Sequence, residues 1–365
     1  MLFTTTVSIV AIILAHLSQF KSKGRLFELS FILLTIVAAI QYGYGSDYMR
    51  YYDLWEQQYR SYDVKEFLAN FFNSLDWTEP GWILLNAIFG FNYGFFVLIA
   101  IISVVENYIF YRLIKDYVPV KWRWFAVLLY VGMDCLYLLN FSMFRQGLCV
   151  PLFVASVLCM NKKKLIPAIA LIILSLTIHL SSAICIPFIA IYFMPLKRTK
   201  TFAVMLLLFT VVIFVFKDIV VGLFKMAFAF EELGKYSNYG QKTLSGIGLG
   251  YLLKMLPNFV ILYTLFIENR LKTREQNVIA LLAFCDMLMT PLQFYGADFA
   301  GRLGIFFIAF KVAAIPMVYG MIKDHGRRAI LVTLTIFSTL LMYIQFFQNY
   351  TEGYSEGYRT IFSVI

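Results

Sequence analysis

The chain has 365 residues, of which 61% are hydrophobic, 18% aromatic and only 14% charged. A soluble domain carries about 25% charged residues and about half apolar ones, so this composition excludes a soluble globular protein. The net charge of +10 would indicate nucleic acid in a soluble protein, but membrane proteins concentrate Lys and Arg in cytoplasmic loops. We therefore expect a protein that works in a lipid bilayer and has no nucleic acid partner.

Apolar runs separated by short charged segments follow one another along the whole sequence. At about 20 residues per crossing, they predict an all-α, polytopic integral membrane protein with about 12 transmembrane helices. A dozen helices leave no room for a separate soluble domain, so residues 1–365 are expected to form a single transmembrane domain. The runs lie at 2–20, 26–42, 93–111, 124–140, 146–160, 165–178, 180–196, 201–216, 248–267, 277–293, 302–320 and 329–347.

Basic residues alternate from loop to loop, and this sets the expected orientation. Six short loops hold 19 of the 31 Lys and Arg residues: 21–25, 112–123, 161–164, 197–200, 268–276 and 321–328. By the positive-inside rule these loops face the cytoplasm, which leaves both termini outside. Two long outer loops, 43–92 and 217–247, are expected to roof a site. The first contains an apolar segment after Glu79 that is too short to cross, which predicts a re-entrant or interfacial helix.

One predicted helical hairpin is too short to cross the membrane twice. Only 32 residues separate Lys164 from Lys197, both in basic loops, whereas two crossings need about 40. The apex of this hairpin, which carries His179, is therefore predicted to lie below the outer surface, at the floor of a water-accessible cavity. The neighbouring run from Arg145 to Asn161 is equally short and places Arg145 at a similar depth.

Charged side chains at membrane depth are costly, which makes them functional candidates. Arg145, His179 and Arg302 are all predicted at outer helix ends, where two guanidinium groups would hold a diphosphate beside an acid or base. Asp47 and Glu79 lie in the first outer loop, close to tyrosines and a tryptophan, as in a sugar-binding surface. These residues make up the predicted site.

Each candidate also has a structural interpretation. Arg145 would snorkel to headgroups, His179 would be a hydrogen-bonded structural residue, Glu79 would cap a short helix, and Asp298 would pair with Arg302 four residues later. No zinc signature exists, because the histidines are predicted in three different places: His16, His179 and His325. We expect neither a metal nor a cofactor.

Together these residues resemble a known family. The ordered motifs resemble the EpsG-like, or Wzy-type, polymerases of bacterial polysaccharides over roughly residues 40–310. The motifs are Gly45-Ser-Asp47-Tyr48-x-x-Tyr51, Glu79-Pro-Gly81-Trp82, Phe144-Arg145-Gln146, Ile178-His179-Leu-Ser-Ser-Ala and the late Arg302 before an aromatic helix.

The resemblance implies a multi-pass glycosyltransferase of the bacterial inner membrane. It would join undecaprenyl-diphosphate-linked oligosaccharide repeats on the outer face, in O-antigen, capsule or exopolysaccharide synthesis, without a metal and with a chain-length regulator as a partner. The proton acceptor stays open between His179, Asp47 and Glu79. Diphosphate binding is expected of Arg145 and Arg302, and substrate binding of Gln146, Tyr48, Tyr51, Trp82 and Asp298.

Two other functions fit a polytopic protein with an anion site. A lipid-linked oligosaccharide flippase or other transporter also needs many spans, but the sequence shows no inverted repeat and its candidate charges cluster on one side. A membrane O-acyltransferase would be expected to place His179 beside a cytoplasmic or membrane acyl donor. A scaffold would not need buried arginines at helix ends.

Overall fold

The structure, a computed structural model, describes residues 2–20, 24–61, 64–65, 79–216, 219, 222, 249–265, 270–294, 298–349, 351–354 and 357–363, which are almost entirely helical. The first helices are α1 (Leu2–Leu17), α2 (Leu26–Ala39), α3 (Tyr48–Gln57), α4 (Pro80–Ile88), α5 (Gly94–Tyr117), α6 (Arg123–Gly132), α7 (Leu136–Leu139), α8 (Phe144–Asn161) and α9 (Leu165–Ile178). The later helices are α10 (Cys185–Phe193), α11 (Leu196–Val215), α12 (Leu249–Tyr263), α13 (Arg274–Phe294), α14 (Asp298–Met321), α15 (His325–Asn349) and α16 (Thr351–Tyr354). The strands are β1 (Gln41–Tyr42) and β2 (Arg359–Thr360), and 3₁₀ turns cover Tyr59–Ser61, Val120–Trp122, Met133–Cys135, Leu180–Ile184 and Ile361–Ser363.

Every predicted apolar run contains helix, and the protein is a multi-pass α-helical membrane protein. Large apolar side chains such as Ile166, Leu208 and Ile330 are mostly exposed, as expected for helix faces that contact lipid. Among the described residues, four helices are long and apolar enough to cross a membrane: Gly94–Tyr117, Phe144–Asn161, Ala300–Met321 and His325–Gln348. Shorter apolar helices cover Leu2–Leu17, Leu26–Ala39, Leu165–Ile178, Leu180–Phe193 and Thr199–Ile213. The count of about 12 crossings stays a prediction.

The chain divides into two compact units, and the expectation of a single domain stays a prediction. The first unit comprises Met1–Cys185 and Met342–Ile365. Its helices pack in a series: α1 lies against α2 and α6, α2 against α5, α5 against α8, and α8 against α9, while the short α4 rests on α9. The second unit comprises Ile186–Leu341, where α11, α12 and α14 pack on α13.

A buried ion pair joins two helices of the second unit. Lys311 Nζ on α14 lies 2.5 Å from Asp286 Oδ2 on α13, and the Thr290 hydroxyl donates to the same oxygen at 3.0 Å. Both charged side chains are almost completely buried, so each charge is compensated by the other and not by water. Two charges that the sequence places inside predicted spans thus pair with each other across α13 and α14.

One end of the first unit gathers distant parts of the chain. β1 pairs antiparallel with β2, so that Gln41 lies opposite Thr360. The rings of Phe3 and Tyr358 stack with their centroids 4.4 Å apart, and the hydroxyls of Thr4 and Tyr44 are 3.0 Å apart. The start of α1, the loop after α2 and the C-terminal strand therefore lie at the same end. That both termini face outside stays a prediction.

One predicted element differs in detail from the structure, and another is confirmed. The run at 124–140 is not one continuous helix, because α6 ends at Gly132 and Asp134 adopts a left-handed conformation with φ of 47° before α7 begins. Loop 43–92 contains α3 and α4, so the short helix predicted after Glu79 is confirmed. Loop 217–247 lies outside the described residues apart from 219 and 222.

Candidate active site

Four side chains from separate parts of the first unit meet at the end that carries β1 and β2. Glu79 precedes α4, Arg145 lies in the first turn of α8, His179 follows α9, and Tyr51 lies on α3. One carboxylate oxygen of Glu79 accepts a hydrogen bond from Arg145 Nη1, and the other contacts His179 Nδ1. The structure thus brings three residues of the predicted site into direct contact.

The guanidinium of Arg145 has a second partner. Its Nε donates to the Tyr51 hydroxyl at 3.1 Å, and its central carbon lies 5.4 Å from the centroid of the Tyr51 ring. The Tyr51 ring also packs against Trp82 and Phe144, with centroid distances of 5.6 Å and 5.3 Å. Arg145 is therefore held on one side by a carboxylate and on another by an aromatic cluster, while 37% of its side chain stays exposed.

The Glu-Pro-Gly-Trp motif explains how Glu79 reaches its partners. Glu79 adopts a left-handed conformation with φ of 61°, which is sparsely populated for a residue other than glycine, and Pro80 then starts α4. A Cβ on Gly81 would lie 2.3 Å from Thr177 Oγ1, so only glycine lets α4 approach the end of α9 this closely. This approach sets the Glu79 carboxylate beside His179.

A second close approach positions the turn before Arg145. Gly45 has φ of +126°, and a Cβ there would lie 2.6 Å from Ser142 Cβ. The Gln41 side-chain amide donates to the carbonyl oxygen of Phe141 at 3.2 Å in the same region. The glycine loop before α3 is therefore packed directly on the turn that leads into α8.

Opposing influences act on the pKa of Glu79. Burial alone would raise it, but the hydrogen bond from His179 and the charge and hydrogen bond of Arg145 together outweigh burial, so the pKa lies below the usual value of 4.5. Glu79 is therefore ionised at neutral pH. Burial raises the pKa of Tyr51 in spite of the nearby Arg145 charge, so its hydroxyl stays protonated.

The contact between Glu79 and His179 determines which imidazole nitrogen is basic. A carboxylate only accepts hydrogen bonds, so Nδ1 of His179 must carry the proton in this contact. In neutral His179 the lone pair is then on Nε2, which makes no hydrogen bond to any residue that the structure describes. Such an arrangement presents a proton acceptor at Nε2, held in place by Glu79, with a cation bound to the same carboxylate.

Two further residues of the predicted site, Asp47 and Trp82, lie beside Tyr51. Asp47 is half-buried and precedes α3, one turn before Tyr51, and its charge contributes to the raised pKa of Tyr51. Trp82 is buried against Tyr51.

The substrate-binding roles expected of Tyr48 and Gln146 stay predictions, and both side chains are buried. Tyr48 is fully buried, packs on Phe95 and Phe144, and donates its hydroxyl to the carbonyl oxygen of Gln41 at 3.2 Å. Its side chain therefore supports the loop before α3. Gln146 is also buried, at 3% exposure.

Arg302 and Asp298 lie in the first turns of α14, in the second unit. Arg302 is half-buried, and the Asp298 side chain lies outside the described part of the structure. That Arg302 acts with Arg145 stays a prediction. Across the residues described, no group of three or more His, Cys, Asp or Glu side chains is placed to hold a metal ion.

The fold and the charged cluster define a polytopic helical membrane protein with a polar site at its helix ends. A family model described as the EpsG family matches residues 24–358, nearly the whole chain. The chain therefore belongs to the EpsG family, whose members are polysaccharide polymerase-like membrane proteins with glycosyltransferase-like activity. No curated protein and no solved structure matches the chain.

Proposed function

We propose that this protein is a glycosyltransferase that joins undecaprenyl-diphosphate-linked oligosaccharide repeats on the outer face of the bacterial inner membrane. The observation that carries the proposal is the Glu79 carboxylate, which contacts both His179 and Arg145. A proton acceptor and a cation side by side are what transfer of a glycan from a diphosphate to a hydroxyl requires.

The reaction is a substitution at the anomeric carbon of the donor glycan. A hydroxyl oxygen of the acceptor repeat forms a bond to this carbon, and the bond between the carbon and the diphosphate oxygen breaks. The lipid diphosphate leaves with the bonding electron pair, and the hydroxyl proton passes to Nε2 of His179. Glu79 stabilises the resulting imidazolium. General base catalysis of this kind contributes about 10²- to 10⁴-fold in rate.

Arg145 would stabilise the leaving diphosphate. Its exposed fraction leaves donors for phosphate oxygens, while Glu79 and Tyr51 hold the guanidinium in one orientation. We propose that Arg302 provides a second cation, that no metal takes part, and that Asp47 and Trp82 border the bound sugars.

The depth of the site suits a lipid-linked substrate. With 14 residues, α9 is about 21 Å long, shorter than the hydrocarbon core of about 30 Å. If its basic N-terminal end lies at the cytoplasmic surface, His179 lies below the outer surface, where a diphosphate attached to a lipid tail can reach it. The sugars would then extend outward beneath loops 43–92 and 217–247.

The glycans of a strain that lacks the protein test the proposal. We expect surface glycans with a single repeat unit and an accumulation of lipid-linked repeats, which the wild-type gene reverses and Arg145→Ala does not. Loss of all exported glycan would indicate a flippase instead. Full-length chains with a mass altered by acyl groups would indicate an acyltransferase, and a variant Arg145→Ala that makes full chains would remove Arg145 from the site.

A further inference from the structure

A buried polar network lies in the first unit, outside the candidate active site. The carboxylate of Glu106, on α5, is almost completely buried at 1% exposure. Its Oε1 accepts a hydrogen bond from the Tyr130 hydroxyl at 2.6 Å and another from Asn140 Nδ2. The Tyr130 hydroxyl also lies 3.2 Å from Asn107 Oδ1. Carboxyl groups inside a membrane bundle are costly, so such a network calls for an explanation.

Asn140 connects this network to the turn before α8. It follows α7, and its Nδ2 also donates to the carbonyl oxygen of Leu136 at 3.0 Å. Its side chain is thus fixed by one bond to its own helix end and one to Glu106. The next residues, 141–143, form the turn that leads directly to Arg145.

The amide oxygen of Asn140 packs on the first turn of α8. A Cβ built on Gly147 would lie 2.4 Å from Asn140 Oδ1, so no side chain fits between the two residues. The Gly147 amide donates to the carbonyl oxygen of Met143 at 2.6 Å, which closes the turn that contains Arg145. A continuous series of contacts therefore runs from Glu106 through Asn140 to the backbone that carries Arg145.

We propose that Glu106 is a positioning residue for Arg145: it holds Asn140 against Gly147 and so fixes the turn from which the guanidinium reaches Glu79 and Tyr51. Glu106 has no contact with Glu79, His179 or Arg145 among the described interactions, so its effect passes through Asn140. This inference rests on the proposed glycan transfer, because it assigns a role in that reaction.

Two substitutions at one position separate hydrogen bonding from size. Glu106→Gln keeps an acceptor oxygen for Tyr130 and Asn140, whereas Glu106→Leu removes it. The probe is the lipid-linked repeat extracted from the strain without the protein, supplied to purified protein in bilayers. We expect Glu106→Leu to lower kcat by about 10- to 100-fold, since a small misplacement of a charged group costs up to about 10²-fold. Glu106→Gln should stay within about threefold of wild type.

A double-mutant cycle with Arg145→Lys distinguishes positioning from general stabilisation. Lys keeps the charge but lacks the guanidinium fork, so it leaves an activity that depends less on the orientation of this turn. In this background Glu106→Leu should lower kcat by less than about threefold, because residues that act through one another are not additive. A structural effect alone would lower kcat equally in both backgrounds.

Two further variants complete the test. Gly147→Ala should reproduce the loss of kcat, because its methyl group displaces Asn140. Asn107→Leu removes a polar side chain that contacts Tyr130, but not Asn140, and should leave kcat unchanged even if it lowers the unfolding temperature. Wild-type kcat in both Glu106→Leu and Gly147→Ala, or equal losses in Glu106→Gln and Glu106→Leu, would overturn the positioning role alone. A wild-type protein that forms no polymer would overturn the proposed function, and this inference with it.

Discussion

Glu79 uses both of its carboxylate oxygens, one for a base and one for a cation. An amide in its place keeps the shape but presents an NH₂ group to either His179 or Arg145, and the contact on that side cannot be made as before. If the NH₂ group donates to Nδ1, the proton of the imidazole moves to Nε2 and the base is lost. The role of Glu79 in the proposed reaction is therefore to set the tautomer of His179.

Glu79→Gln should accordingly inactivate the protein without unfolding it. We expect kcat to fall by about 10²- to 10⁴-fold, the upper end matching the loss in Ser-His-Asp enzymes when the orienting carboxylate becomes an amide. Polymer formation by purified protein from extracted lipid-linked repeats measures this, with protein amount and unfolding temperature as controls. Activity within threefold of wild type would show that Glu79 does not set the tautomer of His179.

The lowered pKa of Glu79 also predicts how stability depends on pH. Because the folded state holds the Glu79 proton less tightly than the unfolded state does, the contribution of Glu79 to stability is complete above pH of about 4.5 and is lost as the pH falls through the folded-state pKa. The unfolding temperature of wild type should exceed that of Glu79→Gln at pH 7, and the difference should shrink as the pH falls below about 4.5. A difference that stays constant from pH 7 to pH 3.5 would contradict the lowered pKa.

At this scale the sequence predicts which residues matter better than how they pair. Arg145 and His179 stand out because a charged or titratable group at a helix end within an apolar run needs a reason. Glu79 is a predicted site residue too, but that it is their common partner is not evident, since it lies 66 positions before Arg145 and 100 before His179. The contact depends on packing between α4 and α9, which no local pattern encodes.

Among the elements, α4 has the most demanding geometry. It is held against the end of α9 by the missing side chain at Gly81, and its first residue, Pro80, fixes the direction in which Glu79 leaves the helix. The Glu-Pro-Gly-Trp motif therefore combines a functional carboxylate, a helix start, a close approach and a buried anchor at Trp82 in four consecutive positions.

Gly81→Ala should separate Glu79 from His179. The added methyl group would lie 2.3 Å from Thr177 Oγ1 and 3.0 Å from the Thr177 carbonyl carbon, so backbone must shift. Because a displacement of about 1 Å can cost about 10²-fold in rate, we expect polymer formation to drop by at least about tenfold. The matched control is Gly24→Ala, whose Cβ meets nothing within 4 Å and which should retain wild-type activity. Equal activity of the two variants would show that the α4 approach does not set the site.

A break within a helix is harder to predict from sequence than the helix itself. Hydrophobic runs specify helices well, but the run at 124–140 contains no proline to mark the break at Asp134. Asp tolerates the left-handed conformation because its short polar side chain can bond locally, yet most Asp residues do not adopt it. Similarly, Tyr48 resembles a ligand-binding residue in sequence, and only its packing shows that its hydroxyl is used by Gln41.

At the scale of the whole molecule, the first unit has two distinct ends. Arg145 begins α8 and the basic residues 162–164 follow its end, so the 18 residues of the helix separate them by about 27 Å. The return helix α9 runs from these lysines back to His179. The site and the loop at 161–164 are therefore at opposite ends, as the alternation of basic loops predicts. The contact of Gly45 with Ser142 places β1, and with it β2, at the site end.

This arrangement makes the orientation of the protein testable with two cysteines. The strand β2 and Ser363 belong to the end that carries the site, whereas Lys164 is exposed in the basic loop at the other end. If basic loops face the cytoplasm, Ser363→Cys should react with a membrane-impermeant maleimide on spheroplasts, and Lys164→Cys only after the membrane is permeabilised. The wild type is the blank whose labelling is subtracted, since its described free cysteines Cys149, Cys185 and Cys285 are buried and Cys159 is half-buried. The reverse labelling pattern would place the site on the cytoplasmic face, where a flipped lipid-linked repeat could not reach it, and would contradict a polymerase that acts outside.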